Sequence, residues 1–272
     1  YGHLPTPLLY ALHLAGKTRN IHLGTAIICL NLHHPMDVAE QISVADLLMN
    51  GRLSAGFGSG SSPEEFGIFG RERTEDVERH QIFEDALKMI LDAFTGQIHN
   101  AYDRHSTVSH KLLPESRADI FPRLWQAVNS HASAQIAGKL DLNMMFSHLR
   151  TPTQNLEYKQ KYLANGGSRS IAINRPILVA ETDDQAWIDV EPALRTLWRR
   201  FQTEGKIAGS ISEPKDIREL ATHPINFVVG SPISVVNQLL ELNDAIGYDV
   251  VNAEVNWLGL TEIQIARSIS LL

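Results

Sequence analysis

Three glycines alternate between residues 51 and 70, and glycines at such spacing can bring backbone N–H groups close to a bound phosphate. Gly56, Gly58 and Gly60 follow a short apolar run in GRLSAGFGSGSSPEEFGIFG. A dinucleotide-binding loop needs G-x-G-x-x-G at the start of a long helix, with an acidic residue about twenty positions later. Pro63 and two more glycines follow here, so the pattern is not met. Close backbone packing or a bulge at the end of a strand is the alternative interpretation.

A second candidate for phosphate binding is AVNSHASAQIAGKL, residues 127–140, where a predicted strand runs into a predicted helix. Ser130 stands at the N-cap position, and Ser133 adds a second hydroxyl. Exposed N–H groups and the positive dipole end of a helix attract a monophosphate. An ordinary serine cap explains the same residues without a ligand. His131 either adds a donor or is solvated.

Composition limits the classes of partner. The chain has 272 residues, 43% hydrophobic, with 24 Lys and Arg against 31 Asp and Glu. No basic face is predicted, so neither nucleic acid nor an anionic membrane is an expected partner. The single cysteine, Cys29, allows no internal disulfide and favours a reducing, cytoplasmic location. His33 and His34 lack the HExxH spacing of zinc enzymes, and no metal site is expected.

Short apolar runs alternate with amphipathic helices, which is typical of parallel strands joined by helical crossovers. Strands are predicted over 20–31, 52–58, 123–129, 143–149, 170–180 and 249–257. Helices are predicted over 5–17, 36–49, 75–95, 131–140, 152–165, 183–203, 232–246 and 261–271. Residues 97–121 and 204–229 are weakly patterned insertions, which lie at the functional rim of such sheets. No linker divides the chain, so one domain over 1–272 is expected.

The ordered motifs resemble the bacterial luciferase-like flavin monooxygenase family. The stretch KTRNIHLGTAIICLNLHHPMDVAEQISVADLLMNGRLSAGFGSGSSPEEFGIFG contains Thr18-Arg19, His34-Pro35, Ala39-Glu40, Gly51-Arg52, Glu65-Phe66 and Phe69-Gly70 in the family order. ERHQIFEDALKMILDAF, VNSHASAQIAGKLDL and FVVGSPISVVNQLLEL continue the resemblance. Any one motif is weak, but the ordered set is specific and covers almost the whole chain.

The resemblance implies an α/β fold of the TIM-type (β/α)₈ barrel class, in agreement with the alternation of elements. In the family, the first strand, first helix and second strand precede the position of Tyr1, so the barrel is expected to be N-terminally incomplete. A family catalytic histidine lies in that preceding part. His3 stands too late to match it, and no catalytic residue is assigned.

The resemblance also implies FMN as cofactor and assigns positions to it. The strand from Leu23 to Leu30 is expected against the flavin ring, with a non-proline cis peptide between Ala26 and Ile27. Gly58 and Ser59 match positions where some relatives carry a reactive cysteine and a phosphate-binding arginine. Here their backbone would approach the ring.

The remaining implied positions lie further along the chain. The expected FMN phosphate turn comprises Asn129, Ser130 and Ser133, and the expected ring contacts after the next strand are Phe146, Ser147 and His148. Trp257 forms a wall of the substrate pocket or packs in the core. Glu65 either faces the mouth of the pocket or forms an ion pair with Arg79, and the pair is favoured here.

The implied function is a flavin-dependent monooxygenase that uses reduced FMN and O₂ to oxygenate a small organic substrate. A partner flavin reductase would supply the reduced FMN. Two alternatives stay open: a deazaflavin-dependent hydride-transfer oxidoreductase, and a non-catalytic flavin-binding subunit. Barrel relatives commonly pair through outer helices, so a homodimer or a larger even homo-oligomer is expected.

Overall fold

The computed structural model describes residues 6–96, 112–205, 207–222 and 224–272. Its residue contacts divide the chain into two compact units. The first comprises Tyr1–Met144 with Tyr162–Arg169, and the second comprises Met145–Lys161 with Ser170–Leu272. The prediction of a single domain over the whole chain stays a prediction.

The first unit is built from parallel strands and the helices that follow them. Its strands are β1 (Leu23–Cys29), β2 (Leu53–Gly58) and β3 (Leu124–Val128), and β1 and β3 both pair in parallel with β2. Its helices are α1 (Pro7–Ala15), α2 (Pro35–Leu48), α3 (Pro63–Ile68), α4 (Asp76–Thr95) and α5 (His131–Lys139). Short 3₁₀ turns cover Leu30–Leu32 and Phe121–Arg123.

The second unit repeats the same alternation. Strand β4 (Asn143–Phe146) and helix α6 (Pro152–Ala164) each have residues in both units. They are followed by β5 (Ile171–Val179), α7 (Asp183–Thr203), α8 (Ile217–Leu220), β6 (Val228–Gly230), α9 (Pro232–Ile246), β7 (Val250–Glu254) and α10 (Glu262–Leu271). Strand β5 pairs in parallel with both β6 and β7.

The predicted elements are all present, with ends within three residues of the prediction. The sequence analysis missed β6, because three residues are too short to show a strand period. It also missed α3, whose Pro63 occupies the first turn behind the Ser62 cap, where proline is compatible with a helix. Of the two weakly patterned insertions, residues 97–111 lie outside the described part of the chain.

The core of the first unit lies between the sheet and its helices. Leu53, Ala55 and Phe57 of β2 are fully buried, and they belong to one apolar cluster with Ile42 of α2 and Leu87 of α4. Strands buried on both faces are the normal state of a parallel sheet covered by helices. This packing fixes the position of β2 and therefore the point at which the following loop leaves the sheet.

A buried ion pair ties the amino end of β2 to its neighbours. The Asp46 side chain on α2 is 1% exposed and accepts two hydrogen bonds from Arg123, at 2.5 Å and 2.9 Å. Asp46 also accepts the Leu53 N–H, and Arg123 donates to the Leu53 carbonyl. One carboxylate therefore holds α2, β2 and the turn before β3 in register.

Replacing Asp46 by alanine would leave the Arg123 side chain, which is only 13% exposed, without its main counter-charge. We expect a loss of about 3–5 kcal/mol in the free energy of unfolding, measured by urea denaturation. Glu40→Ala on the exposed face of the same helix is the control and should change stability by less than about 0.5 kcal/mol. Equal effects of the two substitutions would contradict the role given to Asp46.

Candidate functional site

The carboxyl ends of β2 and β3 form one edge of the first unit. Phe57 of β2 pairs with Gln126 of β3 in a parallel register. The residues that follow the two strands therefore emerge side by side: Ser59 and Gly60 after β2, and Asn129 after β3. This edge is where open and closed α/β sheets place their ligands.

The Ala26–Ile27 peptide bond is cis, which confirms the prediction for this strand. The pairing of β1 with β2 shifts between Thr25 and Ile28. The buried Thr25 hydroxyl bridges this irregularity, because it accepts the Gly56 N–H at 3.0 Å and donates to the Gly56 carbonyl at 3.2 Å.

Ile27 also explains why position 58 is a glycine. A Cβ atom added to Gly58 would lie 2.1 Å from Cδ1 of Ile27, far closer than two carbon atoms can approach. The Ile27 side chain thus fills the space that a residue at position 58 would occupy. The branched residue and the glycine form a matched pair.

Arg79, in the first turns of α4, anchors the loop after β2. Its guanidinium Nη1 donates to Ser59 Oγ at 2.5 Å and to the Gly60 carbonyl at 2.7 Å, while Nη2 donates to Asp76 Oδ1 at 2.9 Å. The Arg79 side chain is only 8% exposed, and its Nε is buried without a hydrogen-bond partner. A nearly buried cation therefore stands directly behind the glycine-rich loop.

The expected ion pair between Glu65 and Arg79 is wrong, since no such pair exists among the described residues. Asp76 takes the arginine instead, because residues three apart on a helix face each other. The hydrogen bond and the charge of Arg79 hold the pKa of Asp76 below its ordinary value. Glu65 lies on α3, where its backbone N–H donates to the Ser62 cap.

The predicted phosphate turn forms a reciprocal cap at the start of α5. Ser130 Oγ accepts the Ser133 N–H at 3.2 Å. Ser133 Oγ accepts the Ser130 N–H at 3.0 Å and the Asn129 N–H at 3.1 Å. The first turn contains no acidic residue, so the positive end of the helix dipole is not neutralised from within the helix. The structure brings these three residues together as a cap.

His80 of α4 contacts this cap. Its Nε2 lies 3.4 Å from Ser130 Oγ, and its Nδ1 lies 2.6 Å from the Asp76 carbonyl. Arg79 and His80 are consecutive, yet one contacts the loop after β2 and the other contacts the cap after β3. Sequence analysis missed both roles, although two consecutive basic residues near the start of α4, the second helix after the glycine-rich loop, were an available signal.

In the second unit, His148 and Trp257 come together although they are 109 positions apart in the sequence. Their rings meet edge to face with centroids 5.7 Å apart, and His148 also stacks on Phe201 at 6.5 Å. Glu254, which sequence analysis did not identify, lies 3.3 Å from His148 Nδ1 and accepts the Trp257 indole N–H on its backbone carbonyl at 2.6 Å.

The two other predicted ring contacts of this segment have local roles. The Phe146 side chain is fully buried in β4. Ser147 Oγ accepts the Leu149 N–H at 3.2 Å in the turn that follows. Whether either residue contacts a flavin stays a prediction.

Cys29, at the end of β1, is not an activated thiol. Burial, together with the negative charge of Glu65, raises its pKa to about 12. Its Sγ packs where a Cβ on Gly60 would lie, at 2.4 Å. The thiol therefore stays neutral at physiological pH and has a packing role.

The described residues contain no group of three His, Cys, Asp or Glu side chains placed to hold a metal ion. In the same residues, no helix combines the length and apolar character needed to cross a bilayer.

Parallel strands alternating with helices, with polar side chains gathered at the carboxyl ends of the strands, are typical of TIM-type barrel enzymes. The sequence matches the luciferase-like monooxygenase family over residues 1–249, and the chain belongs to this family. The resemblance inferred from the sequence is thereby confirmed. The matched segments span 60%, 30% and 50% of the first three curated relatives.

Known proteins similar to this chain include enzymes with two kinds of flavin cofactor. The oxygenase component of flavin-dependent trigonelline monooxygenase from Acinetobacter baylyi is 22% identical over 265 residues, which are 90% of this chain and 72% of that protein. The oxygenating constituent of 3,6-diketocamphane monooxygenase from Pseudomonas putida, solved with FMN, superposes with a TM-score of 0.76 at 19% identity, covering 99% of this chain and 82% of that one.

A coenzyme F420-dependent tetrahydromethanopterin reductase from Methanopyrus kandleri shares the fold with a TM-score of 0.66 at 15% identity, covering 91% of this chain and 81% of that one. These superpositions establish the fold. They confirm the α/β architecture of the barrel class expected from the sequence.

The raised pKa of Cys29 predicts an unreactive thiol. Because the thiolate is the reacting species, we expect the folded protein to react with a disulfide reagent at about pH 8 at least about a hundredfold more slowly than the unfolded protein. The measurement is the release of the coloured thiol with and without denaturant. Equal rates in the two states would show that the structure assigns the wrong environment to Cys29.

Proposed function

We propose that this chain is the oxygenase of a flavin-dependent monooxygenase, which uses reduced FMN and O₂ to oxygenate a small organic substrate. Family membership supports the reaction class. The observations that carry the choice of FMN are the buried Arg79 guanidinium at the loop after β2 and the start of α5 after β3, whose first turn has no acidic residue. A cation and a helix N-terminus at one edge suit a monophosphate.

The residues present fit that group. Arg79 has a buried Nε without a partner, so its guanidinium keeps hydrogen-bonding capacity beyond the contacts with Ser59, Gly60 and Asp76. Ser130 supplies a hydroxyl group, Ser133 holds the turn through its bonds to Asn129 and Ser130, and the start of α5 supplies a positive dipole end. In this proposal the arginine on α4 provides the charge that some relatives carry at the position of Ser59.

Other residues would position the flavin ring and the substrate. The backbone at Ala26, Gly58 and Ser59 would approach the ring, with the Ile27 side chain shaping the space in place of a side chain at position 58. The second unit contains the residues that the sequence predicts for ring contact, Phe146, Ser147 and His148, and for the substrate pocket, Trp257, and these assignments stay predictions. Glu65 is proposed at the mouth of the pocket.

Reduced FMN, when bound, would supply the two electrons needed to place one atom of O₂ in the product and the other in water. The chain would hold the cofactor and exclude bulk solvent. A separate flavin reductase is the proposed source of reduced FMN, because the similar trigonelline enzyme is the oxygenase component of its monooxygenase. A homodimer or larger even oligomer and a cytoplasmic location stay predictions.

One titration distinguishes the monooxygenase from the two alternatives, deazaflavin-dependent hydride transfer and a non-catalytic flavin-binding subunit. The purified protein is titrated without oxygen with reduced FMN and, in parallel, with reduced F420, and oxygen is then admitted. Tighter binding of FMN, followed by oxygen-dependent oxidation of an added substrate panel, supports the monooxygenase. Tighter binding of F420 replaces it with deazaflavin-dependent hydride transfer. FMN binding without any oxygen-dependent product supports the non-catalytic subunit.

Replacing Arg79 by alanine should weaken FMN binding by about ten- to hundredfold, the loss of a charged hydrogen bond. Riboflavin, which lacks the phosphate, should bind the variant and the natural protein equally well. Both affinities are measured by quenching of flavin fluorescence. If the variant lost equal affinity for FMN and riboflavin, Arg79 would have a structural role and would not bind the phosphate.

Arg73→Ala is the matched control. Arg73 binds the same Asp76 carboxylate at 3.0 Å. This ion pair does not involve the loop after β2. The substitution should leave FMN affinity unchanged within about twofold. Thermal unfolding of both variants checks that the fold is retained.

A further inference from the structure

The hydrogen bonds around His80 determine which of its nitrogens carries the proton. A carbonyl oxygen can only accept, so the 2.6 Å contact between Nδ1 and the Asp76 carbonyl requires the hydrogen to be on Nδ1. In the neutral ring, Nε2 is therefore an acceptor. It lies 3.4 Å from the Ser130 hydroxyl.

The bonding capacity of Ser133 determines where the Ser130 hydroxyl points. A hydroxyl has one hydrogen and two lone pairs. Ser133 Oγ donates to the Ser130 carbonyl at 2.9 Å and accepts the N–H groups of Asn129 and Ser130. Its capacity is then full. Ser130 Oγ also lies 3.0 Å from Ser133 Oγ, but both lone pairs of Ser133 Oγ are already in use, so the acceptor left for the Ser130 hydroxyl hydrogen within the cap is His80 Nε2.

Protonation of His80 would reverse this arrangement. An Nε2–H can only donate, so Ser130 Oγ would accept from His80 as well as from the Ser133 N–H. Its own hydrogen would be released toward the start of α5, and one positive charge would be added beside it. The cap would gain a donor and a cation in one step.

We propose that His80 couples proton uptake to the binding of a phosphate monoester at the start of α5, so that this chain holds FMN more tightly as His80 becomes charged. This inference rests on the proposed FMN function. Histidine is the side chain whose charge ordinarily changes between pH 5 and 8. The proton comes from solvent, and no bond of the ligand is made or broken.

The charged groups near His80 are paired with one another: Glu84, one turn further along α4, pairs with Lys88 at 2.8 Å and with Lys139 of α5 at 3.7 Å. On its own helix, Arg79 and Asp76 are paired with each other, and Arg73 shares the same carboxylate. Across from it, α5 begins with His131, the other histidine near the cap. His131 is therefore the control position for any pH effect.

The test compares the natural protein with two variants that cannot take up the proton. His80→Gln places an amide near the position of Nε2, and His80→Asn keeps a donor for the Asp76 carbonyl. Oxidised FMN and riboflavin are titrated at about pH 6 and about pH 8. The ratio of the variant and natural dissociation constants is used, because the phosphate titrates in both proteins and its contribution cancels.

For FMN we expect the ratio to rise about tenfold on going from about pH 8 to about pH 6, as expected for a gained charged hydrogen bond. For riboflavin the ratio should not change, and His131→Gln should behave like the natural protein. Calorimetry in two buffers of different ionisation enthalpy should show greater proton uptake on FMN binding by the natural protein than by His80→Gln.

Two outcomes would overturn the inference, and they are distinguishable from failure of the function. If FMN binds but His80→Gln keeps the natural pH dependence, the coupling is wrong and the proposed function stands. If the pH dependence disappears in His131→Gln instead, the proton site is assigned to the wrong residue. If FMN binds no better than riboflavin at either pH, the proposed phosphate site itself fails.

Discussion

The buried guanidinium of Arg79 is the interaction on which the candidate site depends. It binds a hydroxyl and a carbonyl of the loop after β2, and it is held in turn by Asp76 one helical turn earlier. A desolvated cation is unfavourable unless it is paired and hydrogen-bonded. These contacts therefore fix the loop and the first turns of α4 as one rigid piece.

The same turn of α4 reaches the next strand through His80. The helix thereby joins the ends of β2 and β3, which the parallel register already places side by side. At the opposite end of these strands, Asp46 and Arg123 tie α2 to β2. The Arg79 cluster and the Asp46–Arg123 pair thus lie at opposite ends of the apolar strands. The candidate site lies at the carboxyl ends, where loops can bear functional residues.

Residues at the candidate site fit neighbouring residues from other strands and helices. Ile27 fills the space beside Gly58, and a serine at position 59 receives its cation from α4. In the second unit, Glu254 orients His148 within an aromatic cluster formed with Phe201 and Trp257. Each of these side chains is thus matched to a neighbour from another element.

The sequence by itself determined most of the strands and helices and the serine cap of α5, because periodicity and caps are local signals, and its family resemblance implied the cis bond between Ala26 and Ile27. Only the tertiary structure decided the contacts of Arg79 with Ser59 and Gly60, the contact of His80 with Ser130 and the contact of His148 with Glu254. Those contacts join residues that lie on different strands, helices or loops. Their geometry is set by how strands and helices pack, which no local pattern encodes.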